Sequence, residues 1–443
     1  MGGGPFGGSD PGLKSSHATV SMERAILVGT LDRQDGRDAD AFEELSSLAE
    51  SARVAIAGTL VQRRERPSPQ YYIGSGKVTE LSRLVHENKA DVVVFDDDLS
   101  PAQVRNLERE LKRRVIDRTE LILDIFATHA RTQQAKLQVE LAQLEYAQPR
   151  LRSWGLHLTT EQQAGGTGLG IGMRGPGEKQ LEEDKRHARR RITNLRREIR
   201  DIEQRKRREV AARVVENYCV SLVGYTNAGK STLMNALTSA GVLVEDRLFS
   251  TLDTRTRLWK LRSGGSALLS DTVGFIRKLP HALVASFHAT LEEVAQADLL
   301  LHVVDASHPE ADEQVAAVNE VLKELECADK PALLVLNKTD RLRDSVEFSI
   351  LENRHPGCVC ISAKTGAGID ALDRRVAQIL AERLVEMDLR IPAAEGKILS
   401  ELARHSVIVR QEFEDDLVVM RARVPRHAVW RMERFRTGNG SPA

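Results

Sequence analysis

Residues 224–231 read GYTNAGKS and fit the spacing GxxxxGK[ST], which holds the phosphates of a nucleotide. Lys230 can reach the β- and γ-phosphates, and the Ser231 hydroxyl can ligate Mg²⁺. An apolar run at 218–223 precedes the motif and a helical pattern follows it, which is the strand–loop–helix context that the motif requires. The residues of this loop that we predict to contact the nucleotide are Gly224, Tyr225, Thr226, Asn227, Ala228, Gly229, Lys230, Ser231 and Thr232.

A second pattern indicates which base is bound. The sequence NKTD at 337–340 fits NKxD and follows the apolar run Leu333–Leu336. An aspartate there accepts hydrogen bonds from the ring N–H and the exocyclic amine of guanine, a donor pair that adenine lacks. The sequence SAK at 362–364 matches the loop that supports guanine through backbone N–H groups. The residues that we predict to bind the base are Asn337, Lys338, Asp340, Ser362, Ala363 and Lys364.

Two further positions concern the γ-phosphate and its metal ion. The sequence DTVG at 271–274 fits DxxG, in which Asp271 belongs to the Mg²⁺ shell and the N–H of Gly274 meets the γ-phosphate. Thr251 is the natural switch I threonine, which reaches Mg²⁺ only while the γ-phosphate is present. We therefore predict Ser231, Thr251 and Asp271 as metal ligands and Lys230, Thr251 and Gly274 as catalytic residues. Each motif alone is weak, but together, each after a predicted strand, they predict a GTPase with GTP or GDP and Mg²⁺ as its cofactors.

Two neighbouring residues affect the expected rate of hydrolysis. Phe275 follows DxxG, where many GTPases carry a glutamine that orients the attacking water. A phenyl ring cannot bind water in this way, so we expect slow intrinsic hydrolysis that a partner completes; packing of Phe275 within switch II is compatible with this view. Asn227 resembles the P-loop asparagine that supports K⁺ in some GTPases. K⁺ as a further cofactor and a purely structural Asn227 both stay open.

Composition limits the classes of partner. The 443 residues include 64 basic and 64 acidic side chains, so nucleic-acid binding requires local patches rather than an overall charge. Four cysteines without a CxxC pair indicate reduced thiols in a cytosolic protein. The first 20 residues do not form a signal peptide, and no apolar run is long enough for a membrane span. We expect a cytoplasmic monomer, with peripheral membrane association left open.

The order of predicted elements indicates an α/β protein. Strands alternate with helices at first, and two apolar-striped helices then flank a loop rich in glycine. The predicted segments are a disordered tail at 1–23, an α/β domain at 24–118, an antiparallel helical hairpin at 119–213 with a glycine-rich loop at 149–180, a P-loop GTPase domain with a mixed, mostly parallel sheet at 217–384, and a small α+β unit at 385–443. In the hairpin we expect one continuous helix over 119–148. In the last unit we expect strands at 406–410 and 416–423.

The second helix of the predicted hairpin is basic. Residues 182–209 contain 12 Lys or Arg against 7 Asp or Glu. The arginines of this cluster are Arg189, Arg190, Arg191, Arg196, Arg197 and Arg200. Arginine binds phosphate in a bidentate manner and basic clusters give salt-dependent affinity for RNA, but a solvated face with ion pairs is the alternative interpretation.

With these motifs in place, the chain resembles the HflX family of translational GTPases. The strings that carry the resemblance are GYTNAGKSTLMNALT, LFSTLD, NKTD, YYIGSGKVTEL, DIFATHARTQQAKLQVELAQLEY and GMRGPGEKQLEEDKRHARRRI. The resemblance covers roughly residues 24–384, with departures at Lys179, where many members have Thr, and Arg255, where Pro is usual. The resemblance implies binding to the large ribosomal subunit and ribosomal RNA in the GTP state, ribosome-stimulated hydrolysis, and splitting or rescue of stalled ribosomes under stress. It also implies that the glycine-rich loop approaches the peptidyl transferase centre.

Two other functions are compatible with the nucleotide motifs. A GTPase of tRNA modification shares the hydrophobic residue after DxxG, but that class has a C-terminal catalytic cysteine and no cysteine follows Cys360 here. A GTP switch with protein partners alone would have no affinity for RNA.

Overall fold

The computed structural model describes residues 23–31, 42–64, 66–150, 176–214, 218–238, 255–262, 266–277, 292–342, 345–382, 384–425 and 428–437. Residue contacts divide the chain into two compact units, Met1–Asp117 and Arg118–Ala443. Thr251, nearly all of the predicted tail and most of the predicted glycine-rich loop lie outside the described residues. The predicted domain boundaries stay predictions.

The first unit is a parallel four-stranded sheet with helices between its strands. Its elements are β1 Arg24–Leu31, α1 Glu43–Ser51, β2 Ala55–Arg63, α2 Ser75–Glu87, β3 Val92–Phe95, α3 Pro101–Leu111 and β4 Arg114–Asp117. The strands lie in the order β2-β1-β3-β4. The start of α3 is fixed by a capping box, because the Ser100 hydroxyl accepts from the Gln103 N–H while the Gln103 side chain accepts from the Ser100 N–H.

The second unit begins with three helices, α4 Arg118–His129, α5 Gln133–Ala147 and α6 Pro176–Val214. The prediction of one continuous helix over 119–148 is wrong, because the helix is interrupted between His129, where α4 ends, and Gln133, where α5 begins. The Thr132 hydroxyl accepts from the Ala135 N–H at 3.2 Å and so caps a new helix. Arg150 lies 3.8 Å from Glu120, so the end of α5 returns to the start of α4.

Apolar contacts hold α5 against α6. The buried residues of this cluster are Leu137, Leu141, Ile192, Leu195 and Ile199. They belong to the two apolar-striped helices that the sequence predicts. The antiparallel arrangement of the hairpin stays a prediction.

The nucleotide motifs belong to a six-stranded sheet. Its elements are β5 Tyr218–Gly224, α7 Lys230–Thr238, β6 Arg255–Lys260, β7 Ser266–Asp271, α8 Glu292–Gln296, β8 Leu299–Asp305, α9 Ala311–Glu324, β9 Ala332–Asn337, a 3-10 turn Thr339–Arg341, α10 Ser345–Arg354, β10 Val359–Cys360 and α11 Ile369–Ala381. The strand order is β10-β9-β8-β5-β7-β6, and only the pair β6–β7 among these is antiparallel. The predicted α/β class with a mostly parallel P-loop sheet is confirmed.

The last part of the chain forms a small antiparallel sheet. Its elements are β11 Leu384–Pro392, α12 Gly396–His405, β12 Val407–Glu414, β13 Leu417–Pro425, α13 Val429–Met432 and a 3-10 turn Glu433–Phe435. Strand β11, which we did not predict, pairs with the whole of β13, and β12 lies on the other side of β13. Among the described residues, no helix is both long enough and apolar enough to cross a bilayer.

Candidate nucleotide site

The loop after β5 requires glycine at two positions. Gly224 has a φ of +151°, and a Cβ added there would lie 2.2 Å from the carbonyl oxygen of Val303 on the neighbouring strand. Gly229 has a φ of +92°, and its Cβ would lie 2.3 Å from Nδ2 of Asn337. Both contacts are closer than any side chain tolerates, so the two glycines let the loop curl against β8 and β9.

Lys230 starts α7 with its ammonium group inside this loop. Its Nζ donates hydrogen bonds to the carbonyl oxygens of Gly224, at 3.0 Å, and Tyr225, at 2.7 Å. Burial lowers the pKa of Lys230 to about 8, the nearby Asp271 carboxylate opposes this change, and Lys338 adds to it. The phosphates of a nucleotide would supply the negative charge that a buried ammonium lacks.

Ser231 and Asp271 meet beside the ammonium. The Ser231 hydroxyl donates to Oδ2 of Asp271 at 2.7 Å, and the Asp271 carboxylate is fully buried at the end of β7. A hydroxyl and a carboxylate are the hard oxygen donors that Mg²⁺ prefers, so these residues fit the ion that the motifs imply.

Asn337 joins three loops. Its Nδ2 donates to the carbonyl oxygen of Ala228 at 2.8 Å, and its Oδ1 accepts from the N–H of Ala363 at 3.0 Å. The side chain is buried, so each bond is protected from water. One amide therefore fixes the P-loop, the NKxD loop and the SAK loop relative to each other.

Asp340 faces the SAK loop. The Ser362 hydroxyl donates to Oδ1 of Asp340 at 2.6 Å, and this bond lowers the pKa of the Asp340 carboxyl below its usual value. An ionised carboxylate is the form that accepts two hydrogen bonds from guanine. Ser362 also accepts from the N–H of Thr365 at 3.2 Å, which closes the loop.

The start of switch II is tied to the P-loop. The N–H of Phe275 donates to the Gly224 carbonyl at 3.1 Å, and the Phe275 carbonyl accepts from the N–H of Thr226 at 2.7 Å. The Tyr225 hydroxyl accepts from the N–H of Arg277 at 2.8 Å. The Phe275 ring is buried, so this side chain orients no water in the described arrangement.

Most predicted residues meet at this edge of the sheet. A Cβ at Gly274 would lie 2.8 Å from the Cα of Thr226 and 3.1 Å from Nζ of Lys230, so DxxG lies against the P-loop. Asn227 is exposed with a φ of +60°, and Lys364 is exposed at the rim. Thr251 lies outside the described residues. The assignment of ligands to these side chains stays a prediction.

Two residues of this region belong to none of the sequence motifs, and the sequence analysis missed them. Asp305 ends β8, and its Oδ2 lies 2.6 Å from Nζ of Lys338. Arg118, the first residue of α4, is buried and donates to the carbonyl oxygen of Arg277 at 3.1 Å. Both contacts join positions far apart in the chain, so no local spacing could have indicated them.

A P-loop that meets DxxG, together with an NKxD loop tied to SAK, defines a P-loop GTPase, and residues 219–338 match the family model described as 50S ribosome-binding GTPase. The chain is accordingly a GTP hydrolase. Further models match residues 39–127 (GTP-binding GTPase N-terminal), 129–213 (GTP-binding GTPase Middle Region) and 351–443 (HflX C-terminal domain).

Curated relatives extend this match along the chain. GTPase HflX of Escherichia coli (strain K12) is 45% identical over 407 residues, which is 91% of this chain and 94% of that protein. GTPase HflX of Alkalihalophilus pseudofirmus is 44% identical over 400 residues, or 89% and 91% of the two chains. The chain belongs to the HflX GTPase family, and the resemblance seen in the sequence is confirmed.

Solved structures are more distant. A GDP complex of SsGBP is 25% identical and has a TM-score of 0.46, with 82% of this chain and 99% of that chain covered. A GTP-binding protein of Sulfolobus solfataricus in complex with GDP is 24% identical, with a TM-score of 0.43 and coverage of 81% and 98%.

Proposed function

We propose that this GTPase acts in the cytoplasm as a monomer, binds the large ribosomal subunit and its RNA in the GTP state, and splits or rescues stalled ribosomes under stress. The observation that carries the proposal is the match of residues 219–338 to a family described by its binding to the 50S ribosome. In this view GTP hydrolysis determines when the protein is released from the ribosome, and it has no metabolic purpose.

The geometry supports a different role for each group of residues in the nucleotide site. Asp340 and the loop of Ser362 recognise guanine, and Asn337 holds both against the P-loop. When a nucleotide binds, the ammonium of Lys230 exchanges its hydrogen bonds to two backbone carbonyls for contacts with the phosphates. Ser231 and Asp271, with Thr251 in the GTP state, would hold Mg²⁺, which supplies positive charge to the phosphate oxygens when bound. K⁺ beside Asn227 is a second source of such charge.

Slow hydrolysis follows from Phe275. Its ring is buried and its backbone is bonded to Gly224 and Thr226, so the residue after DxxG does not position water. We propose that contact with the ribosome provides the missing group, which makes hydrolysis depend on the partner.

The basic helix α6 supports contact with RNA. Arg189 and Arg190 are exposed, and together with Arg186, Thr193 and Asn194 they line a shallow surface depression. Guanidinium groups beside hydroxyl and amide groups are suited to phosphate and ribose oxygens.

Sucrose-gradient co-sedimentation tests the proposal. Full-length protein is mixed with ribosomes and either a non-hydrolysable GTP analogue or GDP. We expect association with the 50S fraction, and a loss of 70S particles, with the analogue and not with GDP. Absence of nucleotide-dependent association with the large subunit would contradict the proposal. Conversion of 70S particles into free subunits without such association would show that splitting does not require binding to the large subunit.

The variant Asp340→Asn provides the matched control. An asparagine amide can donate to the C2 carbonyl of xanthine and accept from its N1–H, whereas guanine has an amine at C2. We expect this variant to associate with 50S subunits with a non-hydrolysable xanthosine triphosphate analogue and not with the guanosine analogue. Association of the variant with the guanosine analogue at wild-type level would show that the nucleotide acts elsewhere.

A further inference from the structure

We infer that Asp305, which belongs to none of the GTPase motifs, is a positioning residue for guanine nucleotides that acts through Lys338. The inference rests on the proposed guanine site. Asp305 is the last residue of β8, and its Oδ2 lies 2.6 Å from the ammonium of Lys338 in the NKxD loop. Each side chain is only 14% exposed, so the pair is partly shielded from water and its attraction exceeds that of a surface ion pair.

The carboxylate of Asp305 is itself oriented. Its Oδ1 accepts from the N–H of Ser307 at 3.0 Å and from the Ser307 hydroxyl at 2.6 Å. The N–H of Ala306 donates to the carbonyl oxygen of Asn337 at 2.9 Å, which joins the ends of β8 and β9. Asp305 therefore presents Oδ2 to Lys338 from a fixed turn rather than from a mobile loop.

Lys338 has a constrained path that ends on this carboxylate. Its backbone is left-handed, with a φ of +63°, so the residue leaves β9 at a sharp turn. A Cβ added to Gly229 would lie 4.0 Å from Cε of Lys338, so the aliphatic stem passes over the P-loop. The ammonium of Lys338 also lowers the pKa of Lys230, which places a second positive charge beside the phosphate-binding group.

Asp305 thus does two things for the nucleotide. It holds the ammonium at one end, so that the stem of Lys338 lies flat between the P-loop and the NKxD loop, where a guanine base and its ribose would pack. It also offsets part of the charge of Lys338, which weakens the repulsion between Lys338 and the ammonium of Lys230. Without the carboxylate the Lys338 side chain gains rotamer freedom that nucleotide binding must remove again.

The test measures equilibrium affinity and dissociation of fluorescent GDP and of a GTP analogue with the full-length protein. We expect Asp305→Asn to weaken both by about tenfold, mainly through faster dissociation. The control Asp312→Asn removes another ion-paired carboxylate of the same sheet domain, bonded to His355 at 2.8 Å and to Arg354, and should leave nucleotide affinity unchanged. Thermal midpoints without nucleotide report whether each variant is folded.

A double-mutant cycle with Lys338→Met separates positioning from a general structural effect. If Asp305 acts through Lys338, adding Asp305→Asn to Lys338→Met leaves affinity equal to that of Lys338→Met or tighter. Wild-type affinity in Asp305→Asn, or the same tenfold loss in both backgrounds, would overturn the inference. Failure of the wild-type protein to bind guanine nucleotides would instead overturn the proposed function.

Discussion

At the scale of single residues, the buried ammonium of Lys230 couples nucleotide binding to pH. Burial lowers the pKa of Lys230 to about 8 in the nucleotide-free protein, and negative phosphates would raise it again. Below pH 8 the group already carries its proton and binding requires none. Above pH 8 binding must take up a proton, so we expect the affinity for GDP to fall by up to tenfold per pH unit.

Titration of GDP between pH 6.5 and 9.5, repeated in buffers of different ionisation enthalpy, measures this proton uptake. Lys330→Gln is a suitable control, because Lys330 donates to the carbonyl oxygen of Ala297 and takes no part in the nucleotide site. Its pH profile should match that of the wild type. A GDP affinity that stays level up to pH 9.5 would show that Lys230 does not change its protonation on binding.

Residues that act within one loop were the easier part to predict. The spacing of the P-loop and of NKxD indicated strand ends, and β5, β7 and β9 do end at Gly224, Asp271 and Asn337. Spacing could not indicate the hydrogen bond between Asn337 and Ala228 or the ion pair between Asp305 and Lys338. Each of these contacts joins the ends of two different strands or the loops that follow them. Sequence patterns report local backbone needs, whereas these bonds depend on the order of strands in the sheet.

At the scale of elements, strand β8 contains a buried titratable residue. His302 is buried between Val223 of β5 and Leu334 of β9. Burial, with a smaller contribution from Lys230, lowers the pKa of His302 to about 4 from 6.5. The folded state therefore holds neutral histidine while the unfolded chain takes up a proton below pH 6.5. This contribution to stability is complete above pH 6.5 and is lost as pH falls toward 4, by about 3 kcal/mol in total.

The variant His302→Leu should remove this dependence. We expect the difference in thermal midpoint between variant and wild type to grow in favour of the variant from pH 6.5 down to pH 4. His86→Leu, at an exposed position of α2, controls for the general effect of losing a histidine. If the midpoints of His302→Leu and wild type fall in parallel across this range, His302 does not govern the acid sensitivity of the sheet.

Helix α4 provides a second prediction at this scale. Arg118 begins the helix, is buried, and donates to the carbonyl oxygen of Arg277 in switch II. A hydrogen bond from a charged group is worth about 1.5–3 kcal/mol. We expect Arg118→Ala to speed amide hydrogen exchange of residues 273–277 by at least tenfold, because α4 then no longer restrains switch II.

Arg150→Ala is the control for Arg118→Ala. Arg150 lies 3.8 Å from Glu120 and so also contacts α4. Exchange at 273–277, measured relative to peptides of β8, should change in Arg118→Ala alone. An equal change in both variants would indicate that α4 as a whole, rather than the Arg118 bond, is responsible.

Two elements show where sequence patterns fail at this scale. The periodicity of 119–148 is helical throughout, yet the chain turns at 130–132, because α4 and α5 pack on each other and Thr132 caps the new helix. Strand β11 is the second element, and the sequence patterns did not indicate it. Its buried residues Met387, Leu389 and Ile391 alternate as a strand requires, but pairing with the distant β13 stabilises it.

At the scale of the whole molecule, zero net charge means that any affinity for RNA must come from local basic patches. The arginines of α6 do not contribute equally to such a patch. Arg191 lies 2.7 Å from Glu140 of α5, and Arg196 lies 2.8 Å from Glu145, so both are engaged in ion pairs. Arg191 and Arg196 thus fit the interpretation of a face with ion pairs, and contact of the other arginines with RNA stays a prediction.

The arginines that line the depression on α6 should therefore carry the salt-dependent affinity for the large subunit. We expect the double variant Arg189→Gln/Arg190→Gln to weaken association in the GTP state and to lower the slope of log K against log salt concentration by about 1–2, since each phosphate contact contributes about 0.7–0.9. The matched double variant Arg191→Gln/Arg196→Gln removes the same charge but breaks bonds to α5, so it should lower the thermal midpoint and leave the salt slope nearly unchanged. Equal salt slopes for the two double variants would show that α6 contributes only its overall charge and that the depression is not an RNA contact.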